Sequence, residues 1–139
     1  MAKDIFHGAV RHALEKQGWT ITHDPYVIDL PEVRPRQEID LGAERMIAAE
    51  RGKEKIAVEV KSFMQPSMVY DFHQALGQFM LYLIGLDLKE PDRVLYLAIP
   101  NFAHKFFEGM RLIQLGIERY QVKLIIFDPD IENIESWIN

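Results

Sequence analysis

Cysteine is absent from the 139 residues. That excludes disulfides, thiolate zinc centres and a cysteine nucleophile. It also suits a reducing compartment, so a cytoplasmic location is expected. Long apolar runs are missing as well. The longest, Phe79 to Leu86, is far shorter than the ~20 residues that span a bilayer, and no membrane association is expected. Met1-Ala2-Lys3-Asp4 carries an acid early and no apolar stretch follows, so no signal peptide is expected. A basic excess is lacking too: 16 Lys and Arg stand against 21 Asp and Glu, a net charge of −5. This argues against a nonspecific nucleic-acid coat protein, which works through a large positive field. It leaves room for a nuclease, which concentrates acids at a metal site and needs only a local basic rim. The five histidines show no HExxH spacing, and neither a Gly-rich phosphate loop nor a GxSxG elbow is present.

What is present is an ordinary globular composition, 48% hydrophobic and 27% charged. With no repeat, linker or low-complexity tract, residues 1–139 are expected to form one domain. Apolar periodicity predicts a helix over 4–17, stopped by Gly18. Trp19 to Thr22 alternates as a short strand, closed by Asp24-Pro25. A short apolar piece, 26–30, precedes a Pro-containing loop over 31–37. Residues 38–50 and 54–61 form two strands joined by a turn at Arg51-Gly52-Lys53, the first with a bulge near Gly42. Ser67 caps a long helix running to about Asp87. The apolar run Val94 to Ile99 is a strand buried on both faces. Residues 102–115 are expected to be helical with Gly116 past the end. Residues 122–127 form another buried strand, and 131–139 pack through Trp137. The fold class is therefore α/β, a mixed central sheet flanked by helices.

Chemistry concentrates on one hairpin. Asp40 begins the first strand, while Glu59 and Lys61 end its partner. An antiparallel turn brings the start of one strand beside the end of the other, and residues two apart share a face. Two carboxylates and an ammonium are thus expected to converge. Such a group suits phosphodiester hydrolysis with magnesium or manganese. The metal ligands are Asp40, Glu59 and the carbonyl of Val60, because magnesium takes one or two carboxylates plus water and phosphate oxygens. The metal lowers the pKa of a bound water, and Lys61 stabilises charge on the attacked phosphate. The plainer reading of Val-Glu-Val-Lys is the charged edge of a half-solvated sheet. On the following helix Asp71, Gln74 and Gln78 fall at i, i+3 and i+7 as one polar stripe, either solvated or turned toward the site. Gln74 and Gln78 are counted as site residues. Glu15 and His7 on the first helix are weaker candidates to complete the metal site. Arg34 and Arg36 are candidate contacts to a nucleic-acid backbone.

Glu38-Ile39-Asp40 followed by Ala57-Val58-Glu59-Val60-Lys61-Ser62 resembles the bipartite motif of the PD-(D/E)xK nuclease superfamily, with Ile39 where some members have proline. That resemblance implies a restriction-endonuclease-like αβββαβ core. Nearly the whole chain is similar to the XisH family, through Asp4-Ile5-Phe6-His7, Gly18 to Pro25, the two motif halves, and Phe72-His73-Gln74-Ala75-Leu76-Gly77-Gln78-Phe79. Members are called excision controlling factors of a cyanobacterial DNA element removed by site-specific recombination. The resemblance implies action on DNA, beside a recombinase and a small XisI-type partner protein. Three readings stay open: a metal-dependent nuclease, a non-catalytic regulatory or assembly protein working through the XisI-type partner, and the nuclease half of a toxin–antitoxin-like pair. A second copy of the chain is a further partner left open.

Overall fold

The computed structural model describes residues 5–28 and 46–139. Their elements run α1 (His7–Lys16), β1 (Thr20–His23), β2 (Met46–Arg51), β3 (Glu54–Val60), α2 (Met68–Lys89), β4 (Val94–Pro100), α3 (Asn101–Glu108), α4 (Arg111–Arg119), β5 (Leu124–Asp128) and β6 (Asn133–Ile138). The first six follow the expected α-β-β-β-α-β order. All six strands join one sheet in sequence order. β1–β2, β2–β3 and β5–β6 are antiparallel, while β3–β4 and β4–β5 are parallel. Each parallel step is bridged by helix, because a parallel connection must return along the sheet.

Strand alternation decides which side chains enter which core. Ala57 of β3 faces Phe72, Ala75 and Phe79 of α2, Ala103 and Phe107 of α3, and Ile113 of α4. Ile56, Val58 and Val60 face the other way, onto Val10 and Leu14 of α1 and Trp19. The sheet is thus covered on both sides, which is why β3 and β4 are apolar at nearly every position.

Local signals account for the ends of the elements. Ser67 accepts the amide of Tyr70 at 3.1 Å, satisfying one of the free donors at the start of α2. Gly52, at φ +60°, allows the tight reversal between β2 and β3. Residues 29–45, which include the expected loop, the bulge near Gly42 and most of the first hairpin strand, lie outside the described residues. Two expectations are corrected. Residues 102–115 are not one helix, since α3 ends at Glu108 and α4 begins at Arg111 after Gly109-Met110. Gly116 lies inside α4, over the ring of Phe72, rather than past a helix end. Residues 133–138 form a strand, β6, pairing with β5. Its apolar residues Ile134, Trp137 and Ile138 are only partly buried and are interrupted by polar ones, so it carries no buried apolar run to announce it.

A charged staple ties four segments together behind α2. The Arg93 side chain, only 2% exposed, donates to Glu90 at 2.8 Å, to the Ile56 carbonyl at 2.9 Å and to Glu50 at 3.3 Å. Tyr26 donates to Glu90 at 2.7 Å. The guanidinium holds the Glu90 carboxyl down at about 2, and burial pushes the Tyr26 phenol up to about 12. Glu90, with its pKa below the unfolded 4.5, contributes stability above that pH and loses it as pH falls toward 2. Tyr26, with its pKa raised from 10, contributes below pH 10 and loses that as pH rises toward 12. Thermal melts across pH should show both flanks, and Glu90→Gln should flatten the acid one. Arg93→Ala should cost about 1–3 kcal/mol, because it leaves the buried Ile56 carbonyl and the half-buried Glu90 without their donor; an acid flank unchanged by Glu90→Gln would refute the assignment.

Candidate functional site

The site begins with the alternation of β3. Val58 and Val60 point to the α1 face, so Glu59 between them points to the face covered by α2, as does Ala57. Lys61 continues the strand by one residue, its amide donating to the Ala98 carbonyl at 3.0 Å. That bond aims the Lys61 N–H at β4 and, across the same trans peptide, turns the Val60 carbonyl away from β4 toward the side of β2. The described register with β2 stops one pair earlier, at Met46 opposite Glu59. Both charged side chains are desolvated, Glu59 at 0% exposure and Lys61 at 6%, and both are engaged by other groups. The plain reading of a half-solvated edge does not hold for β3, which has a strand on each side and a helix layer on each face.

The azimuth of α2 decides which of its polar residues join this layer. Phe72 packs on Phe107 and lies beneath Gly116, which fixes one flank toward α3 and α4. Gly85 is pressed against Ile28, where a Cβ would stand 2.9 Å from the isoleucine Cδ1, and this fixes the opposite flank. Asp71, Gln78 and Tyr82 fall on the Gly85 side of the helix and are buried, at 5%, 8% and 3%. The polar stripe expected from spacing therefore splits. Asp71 and Gln78 enter the layer between α2 and the sheet, whereas Gln74 is exposed, its amide 3.4 Å from the Tyr70 hydroxyl. Tyr82 was not singled out in the sequence, although its spacing of four from Gln78 puts it on the same flank.

The chain leaves β3 under strain. Phe63, two residues after Lys61, has φ +56°, a left-handed conformation that a bulky side chain rarely adopts. It is held there because its ring is buried edge-on against Phe107, centroids 5.2 Å apart.

Asp40, Arg34 and Arg36 lie outside the described residues. The α1 candidates lie elsewhere. His7 Nε2 is 2.9 Å from the Asp24 carboxylate, which also accepts from Arg11 at 2.7 Å, and Arg11 reaches Glu15 at 4.0 Å. They brace α1 against the end of β1, and α1 covers the face away from Glu59. Among the described residues no group of three His, Asp or Glu is arranged to hold a metal. Of the ligands expected from the sequence, the described residues supply the Glu59 carboxylate and the Val60 carbonyl, both hard ligands of the kind magnesium takes.

The XisH family model, described as XisH protein, matches residues 1–135. This chain belongs to the XisH family. A solved XisH family protein from Nostoc punctiforme is 45% identical and superposes with a TM-score of 0.88, covering 98% of this chain and 100% of the other. A solved protein from Anabaena variabilis, described as an fdxN element excision controlling factor, is 44% identical, with a TM-score of 0.86 over 96% and 98%. A search of curated proteins returns no match. Glu59, Lys61, Asp71 and Gln78 all fall within the span matched to XisH.

The two glutamines should separate in stability. Gln78→Ala is expected to cost about 1–3 kcal/mol, since it removes a buried, engaged amide, and Gln74→Ala to stay within about 0.5 kcal/mol, as an exposed change does. Urea denaturation of the two variants measures this, and equal losses would contradict the azimuth given for α2.

Proposed function

We propose that this XisH chain controls excision of an fdxN-type DNA element, and that it carries a divalent-metal-dependent phosphodiester hydrolase site of the PD-(D/E)xK kind at Asp40, Glu59 and Lys61. The first part is supported by the likeness to the Anabaena variabilis factor. The second is carried by one observation: Glu59 and Lys61 are both withdrawn from water on one face of a central strand, at the carboxyl end where the parallel part of the sheet begins. Burying charge is costly without a partner or a task, and ligands of open α/β sheets gather outside the carboxyl ends of parallel strands.

In this reading Asp40, Glu59 and the Val60 carbonyl hold magnesium or manganese, which supplies Lewis acidity and an activated water when bound. Lys61 neutralises the negative charge that grows on the non-bridging phosphate oxygens. Water attacks phosphorus, the P–O3′ bond breaks, and the departing oxygen takes a proton from solvent. Gln78 orients the reacting groups from α2, with Gln74 nearer the rim. The net charge of −5 favours help in reaching DNA, and an XisI-type protein acting beside a recombinase is the partner proposed.

Purified protein would be incubated with linear, supercoiled and branched DNA and magnesium or manganese, alone and with the XisI-type protein. Metal-dependent nicking or cleavage is expected, reduced at least about 100-fold by Asp40→Ala, Glu59→Ala or Lys61→Ala. Cutting that persists in all three variants would remove the site from the proposal. Excision in cells that survives Glu59→Ala would favour the non-catalytic assembly reading instead.

A further inference from the structure

The outward face of α2 is apolar and uncharged. From Phe72 to Leu86 there is no Asp, Glu, Lys or Arg. Yet one side of this helix meets solvent. Tyr70, Leu81, Ile84 and Leu88 are 59%, 48%, 58% and 51% exposed, with Met80 at their flank. Positions 70, 77, 81, 84 and 88 follow steps of seven, four, three and four, the spacing of a helix–helix seam. These side chains leave on the order of 500 Å² of adjoining apolar surface, the size of a monomer's largest patch, which is often functional.

The pattern is graded along the helix. Its first half offers Gln74 and Gly77, and an added Cβ at Gly77 would meet nothing within 4 Å. Its second half offers the bulky Leu81, Ile84 and Leu88. An antiparallel copy turned about an axis beside Leu81 sets Ile84 over Gly77, Leu88 over His73 and Gln74, and Leu81 against its own mate. Large side chains then enter the notch left by the missing one, in both directions at once, as a two-fold interface requires. One polar edge matches as well, because Asp87 and His73 share a flank of the seam and the antiparallel turn sets Asp87 of one copy beside His73 of the other. Two such faces together remove about 1,000 Å², the floor for a specific interface. A membrane surface fits less well, since the face has no Lys or Arg to meet lipid headgroups, and no described helix is long and apolar enough to cross a membrane.

We infer that α2 is a homodimerisation helix, pairing antiparallel with a second copy of the chain through Gly77, Leu81, Ile84 and Leu88. This does not rest on the nuclease reading, because Gly77, Leu81, Ile84 and Leu88 are exposed or solvent-facing while Asp71 and Gln78 are buried under the helix; the two share only the border at Gln74.

Sedimentation of the intact chain should show a reversible monomer–dimer equilibrium. Ile84→Glu should weaken association at least about tenfold without lowering Tm, because the residue is exposed. Gly77→Leu is the sharper variant: it should leave the fold as stable or more so, since leucine favours helix, yet weaken the dimer by filling the notch. With no native cysteine, Leu81→Cys should give a disulfide-linked dimer on oxidation, and Ile131→Cys, on the exposed β5–β6 turn, should not. A chain that stays monomeric at the highest soluble concentration overturns the proposal. So does cross-linking no greater through Leu81→Cys than through Ile131→Cys. A chain that is monomeric alone, but whose capture of the XisI-type protein is lost in Ile84→Glu, gives this face to that partner and overturns self-association.

Discussion

Everything in this molecule depends on the double enclosure of β3. It is paired along both edges, antiparallel to β2 and parallel to β4, and roofed on both faces by helices. The enclosure makes most of the strand apolar, because side chains that lose water on both faces gain about 25 cal/mol for each Å² of apolar surface buried. It also gives Glu59 and Lys61 their character. On a half-exposed sheet the same two residues would be surface charges of little consequence. Under α2 they sit where electrostatic interactions strengthen because water is excluded. The staple at Arg93 belongs to the same frame, since its guanidinium donates to the Ile56 carbonyl at the entry to β3 while holding Glu90 and Glu50.

α2 then acts as a two-sided element. Its inner flank supplies Asp71, Gln78 and Tyr82 to the layer over β3, and its outer stripe supplies the exposed leucine and isoleucine seam. The two sides differ because the helix is locked in azimuth by Phe72 beneath Gly116 on one flank and by Gly85 against Ile28 on the other. A rotation of a third of a turn would expose Gln78 and bury Ile84. The close approach at Gly85 also explains why a helix-weakening glycine stands in the last turn but one. No side chain fits there.

Much was legible in the linear chain where physics is local. Ser67 announces the start of α2 by its hydroxyl, Gly52 the hairpin by its left-handed backbone, and Val94 to Ile99 a buried strand by unbroken apolar character. β6 was not legible, because Asn133 to Ile138 is a half-exposed edge whose strand conformation comes from pairing with β5 rather than from any pattern of its own. The break between α3 and α4 escaped notice for a related reason. The apolar residues on either side of Gly109 keep the helical period, and only packing over the sheet decides that the axis must turn.

The sequence by itself determined the α/β class, the hairpin and the pairing of Glu59 with Lys61 on one face, since residues two apart share a face wherever the backbone is extended. It also determined that α2 carries both glutamines and an uncharged apolar run. Only the tertiary structure decided that Glu59 and Lys61 are buried rather than solvated, that Gln78 rather than Gln74 enters their layer, and that His7 and Glu15 belong to the other side of the sheet. Burial and helix azimuth are set by contacts between residues distant in the chain, and no local periodicity encodes which face of an element its neighbours will cover.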